Sequence, residues 1–152
     1  IIVWGAENYT NAKRNPEMYG WIDNTREGFI KKVSVKKAIN SDFSKPIITG
    51  TFTFKSGAKL KMIIEKLIEN KNNKVNGEFY LDSCINTAIE LGMKCKYFKV
   101  DYYICWGTPN DLKTFEYWQS CFHKWDLHPY SIEKDINIPK SRVNDLNKFF
   151  LV

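Results

Sequence analysis

No apolar stretch of the 152-residue chain approaches the roughly 18 to 20 residues that a membrane-spanning helix needs, so a membrane is not expected among its partners. The opening, Ile1-Ile2-Val3-Trp4-Gly5, lacks the basic flank and the length of a secretory signal. Cysteine is sparse and scattered: Cys84, Cys95, Cys105 and Cys121 lie ten or more residues apart, without a Cys-x-x-Cys pair. With only His123 and His128 beside them, the spacing of a structural zinc site is missing. A chain of this length with an ordinary apolar core uses scattered cysteines as small buried hydrophobes, which suits a reducing cytoplasm better than a disulfide framework does. Internal repeats and low-complexity stretches are absent too, which excludes solenoids and arrays. These absences predict a soluble, cytoplasmic protein.

Aromatic residues, by contrast, are plentiful: ten Phe, eight Tyr and five Trp supply a sizeable core, and the length predicts one domain or a large piece of one. The net charge of +6 permits anionic partners, including phosphorylated small molecules. The lysines are spread along the chain, as in Lys31-Lys32, Lys36-Lys37, Lys59, Lys66 and Lys74, and read as solvated faces. Nucleic acid is therefore not expected as a partner. The chain opens without Met on what reads as a buried strand, and we expect a segment upstream of it.

Strand-like runs occur at Ile1 to Ala6, at Tyr19 to Asn24 and Phe29 to Val35 as a hairpin, at Ile47 to Phe54, and at Cys95 to Val100, each rich in β-branched or aromatic residues. Glu7 to Met18, with Pro16 and several Asn, reads as a surface loop, and Asp101 to Trp106 as extended chain. Gly50 interrupts the fourth run, signalling a bulge or a close approach by backbone or ligand. Leu60, Ile63, Ile64, Leu67 and Ile68 recur at helical spacing behind Ser56 as cap. A second helix is expected from Leu81 or Asp82 to Leu91, ending at Gly92. Thr108-Pro109-Asn110-Asp111 is a strong helix start, with Thr108 as cap, Pro109 at the first position and Asp111 at the third. That helix should reach His123, and a short one should run from Ser141 to Phe150. Strands alternating with helices, together with an early hairpin, predict an α/β domain with a mixed sheet and flanking helices.

Three segments in order carry a resemblance. They are Gly20-Trp21-Ile22-Asp23 with Val33-Ser34-Val35-Lys36-Lys37; Ile48-Thr49-Gly50-Thr51-Phe52 with Asn76-Gly77-Glu78-Phe79-Tyr80-Leu81-Asp82; and Trp106-Gly107-Thr108-Pro109-Asn110-Asp111-Leu112. Over about residues 1 to 120 the chain resembles the C-terminal half of sugar-phosphate nucleotidyltransferases of the glucose-1-phosphate thymidylyltransferase and mannose-1-phosphate guanylyltransferase type. The resemblance implies the C-terminal part of a nucleotide-diphospho-sugar transferase (Rossmann-like) fold. Residues 1–123 would form the acceptor half and 124–152 a C-terminal appendage.

It also implies roles. Lys36 stands where the family's lysine meets the sugar phosphate, and a cation there would neutralise charge on the attacking phosphate; without the resemblance it reads as a solvated lysine on a hairpin edge. Gly50 matches the glycine whose backbone lies close to the sugar. Glu78, Tyr80 and Asp82 match sugar-lining positions, Glu78 ahead of Asp82, which could equally be a helix cap. The family's cofactor is Mg²⁺, and its partners are a nucleoside triphosphate and a phosphorylated sugar acceptor. Two positions depart from the pattern. Val35 stands where the family has Glu. Cys105 occupies the place of the metal-binding Asp, and sulfur is a poor donor to Mg²⁺, which leaves Asp101 as a weak metal candidate. The family's Gly-rich triphosphate loop is not in this sequence, so the expectation is an enzyme as the full-length parent and a chain that alone does not turn over. The rivals are a basic binding module using Lys31, Lys32, Lys36 and Lys37, and a degenerate transferase homologue. A homo-oligomer is left open.

Overall fold

Alternation sorts the apolar side chains of the strands onto two faces. In the chain segments Trp21-Ile22 and Ile47-Ile48 the first residue of each pair enters one core cluster and the second enters the other, as the period of two requires. The structure, a computed structural model, describes residues 1–41 and 43–148. The chain forms two compact units, Ile1–Tyr103 and a second from Ile104 onward.

The first unit contains strands β1 (Ile2–Ala6), β2 (Gly20–Asn24), β3 (Ile30–Val35), β4 (Ile47–Thr53) and β5 (Lys96–Lys99), with helices α1 (Thr10–Arg14), α2 (Gly57–Glu69) and α3 (Ser83–Glu90). The strands make one five-stranded sheet in the order β3-β2-β4-β1-β5. β1 runs parallel to β5 and antiparallel to β4, and β2 is antiparallel to β3 and β4. The α/β class, the mixed sheet and the flanking helices are thus as the sequence predicts. On one face Val3, Ile22, Val33 and Ile48 pack with Ile63 and Leu67 of α2 and Ile85 and Ala88 of α3. Each of these valine, isoleucine and leucine side chains contributes about 1.5–3 kcal/mol on burial. On the other face Ala6, Trp21 and Ile47 close over Ala12.

Ala12 belongs to α1, and here the structure corrects the reading of Glu7–Met18 as a plain loop: it holds α1 and a 3₁₀ turn, Pro16–Met18. One buried side chain in five residues leaves no periodicity to see in the sequence, and the second sheet face supplies what holds the turn in place. The hairpin departs in detail as well. Ile30 and Val33 are both buried although three apart, because the register slips between Asp23 and Asn24, which pair with Lys32 and Ile30; the bulged Lys31 returns Ile30 to the core side. The second helix is a little shorter than predicted, and Asp101–Trp106 carries no regular secondary structure.

In α2 the Ser56 Oγ accepts the Lys59 N–H, at 3.5 Å, and of the predicted stripe only Ile63 and Leu67 are fully buried while Ile68 is 49% exposed. All four cysteines are free thiols, Cys84 and Cys95 buried, and burial pushes the Cys84 thiol up to about 11.

The second unit is built on α4 (Pro109–Lys124) and α5 (Lys140–Lys148). Thr108 Oγ1 accepts the Asp111 N–H at 3.1 Å, the cap that the sequence predicts, and Asp111 Oδ2 accepts the Thr108 N–H at 3.0 Å, which makes the cap reciprocal. Ser120, Ile132 and Leu146 are its buried centre. Phe149 and Phe150, the predicted end of the last helix, lie outside the described residues. Among the described residues no helix is long and apolar enough to cross a membrane.

Candidate functional site

Four of the residues singled out from the sequence meet in the first unit, around the start of β2. Gly20 is buried there, with the ends of two side chains against its backbone. A Cβ on it would run into Asp82 Oδ2 and lie 3.0 Å from Ile48 Cδ1, so the carboxylate rests against bare backbone and would have to shift for any larger residue. Gly20 stands in the hairpin motif, but its role was not read from the sequence. The signal was a glycine at the first position of a strand, a place of close approach.

Asp82 precedes α3, yet it does not cap it. Its backbone is already helical, with φ −55° and ψ −37°, and its side chain makes no cap hydrogen bond. A capping residue takes an extended backbone so that its oxygen can turn back to the first amides; Asp82 points its carboxylate at Gly20 instead. Burial raises its pKa, and the positive charge of Lys36 partly offsets that rise.

Lys36 comes to this place by a reversal at the end of β3. Its backbone is left-handed, with φ 59°, an uncommon state for a residue with a Cβ, and its N–H donates to Tyr19 O at 3.1 Å. The Lys36 Nζ donates to Met18 O at 3.3 Å and lies 5.6 Å from the centroid of the Tyr80 ring, a cation–π distance.

Tyr80 and Glu78 are set by a tight hairpin. Asn76 and Gly77 have φ of 51° and 84°, and Val75 and Glu78 exchange both backbone hydrogen bonds, at 2.9 and 3.0 Å. Two successive positive φ values are what the commonest two-residue hairpin needs, and Asn-Gly is its preferred sequence; this hairpin was not read from the sequence, although its signal was there. Exposed Glu78 accepts the Tyr80 O–H at 2.9 Å, which raises the tyrosine's pKa, with burial and the charges of Glu78 and Asp82 adding to the rise.

A primary ammonium, two carboxylates and a phenol therefore converge from residues 36, 78, 80 and 82. The ammonium suits a phosphate, and the carboxylates accept hydrogen bonds from hydroxyls. The other expected residues stand apart from this cluster. Gly50, φ 85°, is the left-handed residue of a bulge where β4 shifts register against β1 between Val3 and Gly5, and a Cβ on it would meet nothing within 4 Å. The bulge accounts for this glycine by itself. Asp101 is exposed, and its charge acts on Lys99, which pairs with Glu7 at 2.7 Å. Cys105 belongs to the second unit, where its Sγ accepts the Gly107 N–H at 3.3 Å in the turn before α4.

Among the described residues no three His, Cys, Asp or Glu side chains gather where they could hold a metal ion. The hard, multidentate oxygen set that Mg²⁺ requires is not assembled by Asp101 or by Cys105, so the residues present do not fit that ion. No protein-family model matches the chain, and no curated protein matches it.

Proposed function

We propose that this chain is the acceptor side of a sugar-phosphate nucleotidyltransferase, the C-terminal part of a nucleotide-diphospho-sugar transferase (Rossmann-like) fold. The parent enzyme would transfer a nucleoside monophosphate from a nucleoside triphosphate to a sugar 1-phosphate and release pyrophosphate, serving cytoplasmic synthesis of capsule or lipopolysaccharide precursors. The observation that carries this reading is the meeting of Lys36 with Glu78, Tyr80 and Asp82 about Gly20. One cation and several hydroxyl-seeking groups answer to a phosphorylated polyol, and they come from the segments that carry the resemblance.

In the reaction an oxygen of the sugar 1-phosphate attacks the α-phosphorus in line, a new P–O bond forms, and the bond to the β-phosphate oxygen breaks with its electron pair leaving on pyrophosphate. Lys36 neutralises the attacking phosphate and the charge that grows in the transition state. Glu78, Tyr80 and Asp82 orient the sugar by its hydroxyls, so that positioning supplies much of the acceleration. No side-chain nucleophile is required. Mg²⁺ comes with the resemblance as the expected cofactor, and among the described residues this chain does not assemble its ligand set. The nucleotide side would be contributed by a Gly-rich loop outside this sequence, so the 152-residue chain by itself should bind acceptor without turnover.

The test is pyrophosphate release by a parent protein carrying both halves, screened with four nucleoside triphosphates against phosphorylated sugars. Turnover with one pair, falling by about 100-fold or more in Lys36→Ala, is the expected result. A folded parent that is silent across the panel would leave the degenerate homologue standing and the transferase reading overturned.

A further inference from the structure

Helix α4 carries large rings on a side that its own unit does not use. Glu116, Ser120 and His123, at i, i+4 and i+7, turn to the rest of the second unit. Arg142 pairs with Glu116 at 2.6 Å, Ser120 Oγ donates to Leu146 O, and His123 Nδ1 accepts the N–H of Ile132 at 3.1 Å. Phe115, Trp118, Phe122 and, at the C-terminal cap, Trp125 lie about 150° around the helix from that face, at 3.6 residues per turn. They stay open to solvent: Trp118 and Trp125 are each 53% exposed and Phe122 is 39% exposed. Phe115 meets the ring of Trp106 at 5.0 Å between centroids, and Trp106 is itself 59% exposed. The spacing of three, four and three residues is that of the a and d positions of a seam between two helices. A helix that only closes over its own core needs a broader apolar face.

We infer that this stripe is the surface on which a second copy of the chain docks, α4 against α4 and antiparallel. The stripe is its own complement. Read backwards it keeps its spacing and exchanges Phe with Trp, so an antiparallel copy sets Phe115 against Trp125 and Trp118 against Phe122. Each of the four layers then holds one smaller and one larger ring, and one patch meets itself as a two-fold axis requires. Beside the seam stand Leu112, Thr114, Gln119 and Cys121. None of them is charged, so two chains with a net charge of +6 each bring no like charges together there. The area suffices as well. An aromatic side chain buries about 150–250 Å², and with half of that still open Trp106, Trp118, Phe122 and Trp125 offer about 400 Å². A standard interface takes about 800 Å² from each partner, of which about 60% is apolar, so the four rings come close to supplying that share. The dimer does not depend on the acceptor reading above.

Sedimentation equilibrium of the 152-residue chain tests this. It should give the mass of two chains at concentrations below about 100 µM, within the range that interfaces of this size reach. Trp118→Glu and Phe122→Lys each place charges in both central layers. Both side chains are exposed in the single chain, so each variant should keep its far-ultraviolet circular dichroism. Each should also raise the dissociation constant by about 100-fold or more, the scale of losing a central aromatic anchor. Mixed in equal amounts the two variants should dimerise again, because one central layer then joins opposite charges and the other is intact. A mixture that stays dissociated would overturn the antiparallel seam. A chain monomeric throughout that range, its stripe then left to a different protein, would overturn the second copy as occupant, and so would a dimer that Trp118→Glu does not weaken.

Discussion

At the scale of single residues the pairing of Gly20 with Asp82 is the most demanding feature. A carboxylate lies where one methyl group would exclude it, and burial there raises its pKa while Lys36 works against the rise. In the unfolded chain Asp82 loses its proton in the ordinary carboxylate range; in the folded chain it keeps it to higher pH. The folded state therefore binds more protons between those two points, so this group's contribution to stability is full below the ordinary range and is lost as pH rises through the raised value. Lys36→Met removes the opposing charge. Its Asp82 should titrate at higher pH than in the parent sequence, as read from the side-chain carboxyl carbon by NMR, and the loss of stability should extend to correspondingly higher pH. An unchanged titration would mean that Lys36 does not act on Asp82.

Among elements, β3 shows how a strand at the margin of a sheet is finished. Its start reaches β5, where Ile30 N–H donates to Cys95 O at 2.9 Å and Tyr97 N–H donates to Gly28 O at 2.8 Å. Its middle is closed by Asn86 from α3. Unpaired strand edges invite further pairing, and an amide side chain satisfies this one without adding a strand. Asn86→Ala would leave a part-buried donor and acceptor without partners, at a cost of about 1–3 kcal/mol. The expected observation is a lower urea midpoint with an unchanged slope. An unaltered midpoint would show that water replaces the amide without penalty.

For the molecule as a whole, the division falls in a stretch that nothing in regular structure secures. Tyr102 is 93% exposed and Ile104 62% exposed, in the unstructured segment at the boundary between Tyr103 and Ile104. Proteases cut chains that are exposed and free of backbone pairing. Chymotrypsin at limiting concentration should cut first after Tyr102, leaving the sheet-bearing unit resistant, which mass spectrometry of the early fragments would reveal. A first cut inside Ile1–Tyr103 would contradict the compactness of that unit. The Gly107-Thr108-Pro109 motif lies with the second unit, while Lys36, Glu78, Tyr80 and Asp82 lie in the first, so the resemblance is carried by both.

Features governed by local chemistry could be read from the residues alone. Five strands and the helices behind Ser56 and Thr108 were legible because alternation, helical spacing and caps act within a few residues. Lys36, Glu78, Tyr80 and Asp82 were legible as candidates through their motifs. The rest depends on contacts between distant parts of the chain. α1 exists because a sheet face needs Ala12 against Trp21; Asp82 leaves its cap because Gly20, more than sixty residues earlier, makes room for it; and Asn86 finds Val33 across fifty-three residues. Each of these contacts joins distant parts of the chain, and their energy comes from burial and pairing that no short window of sequence contains.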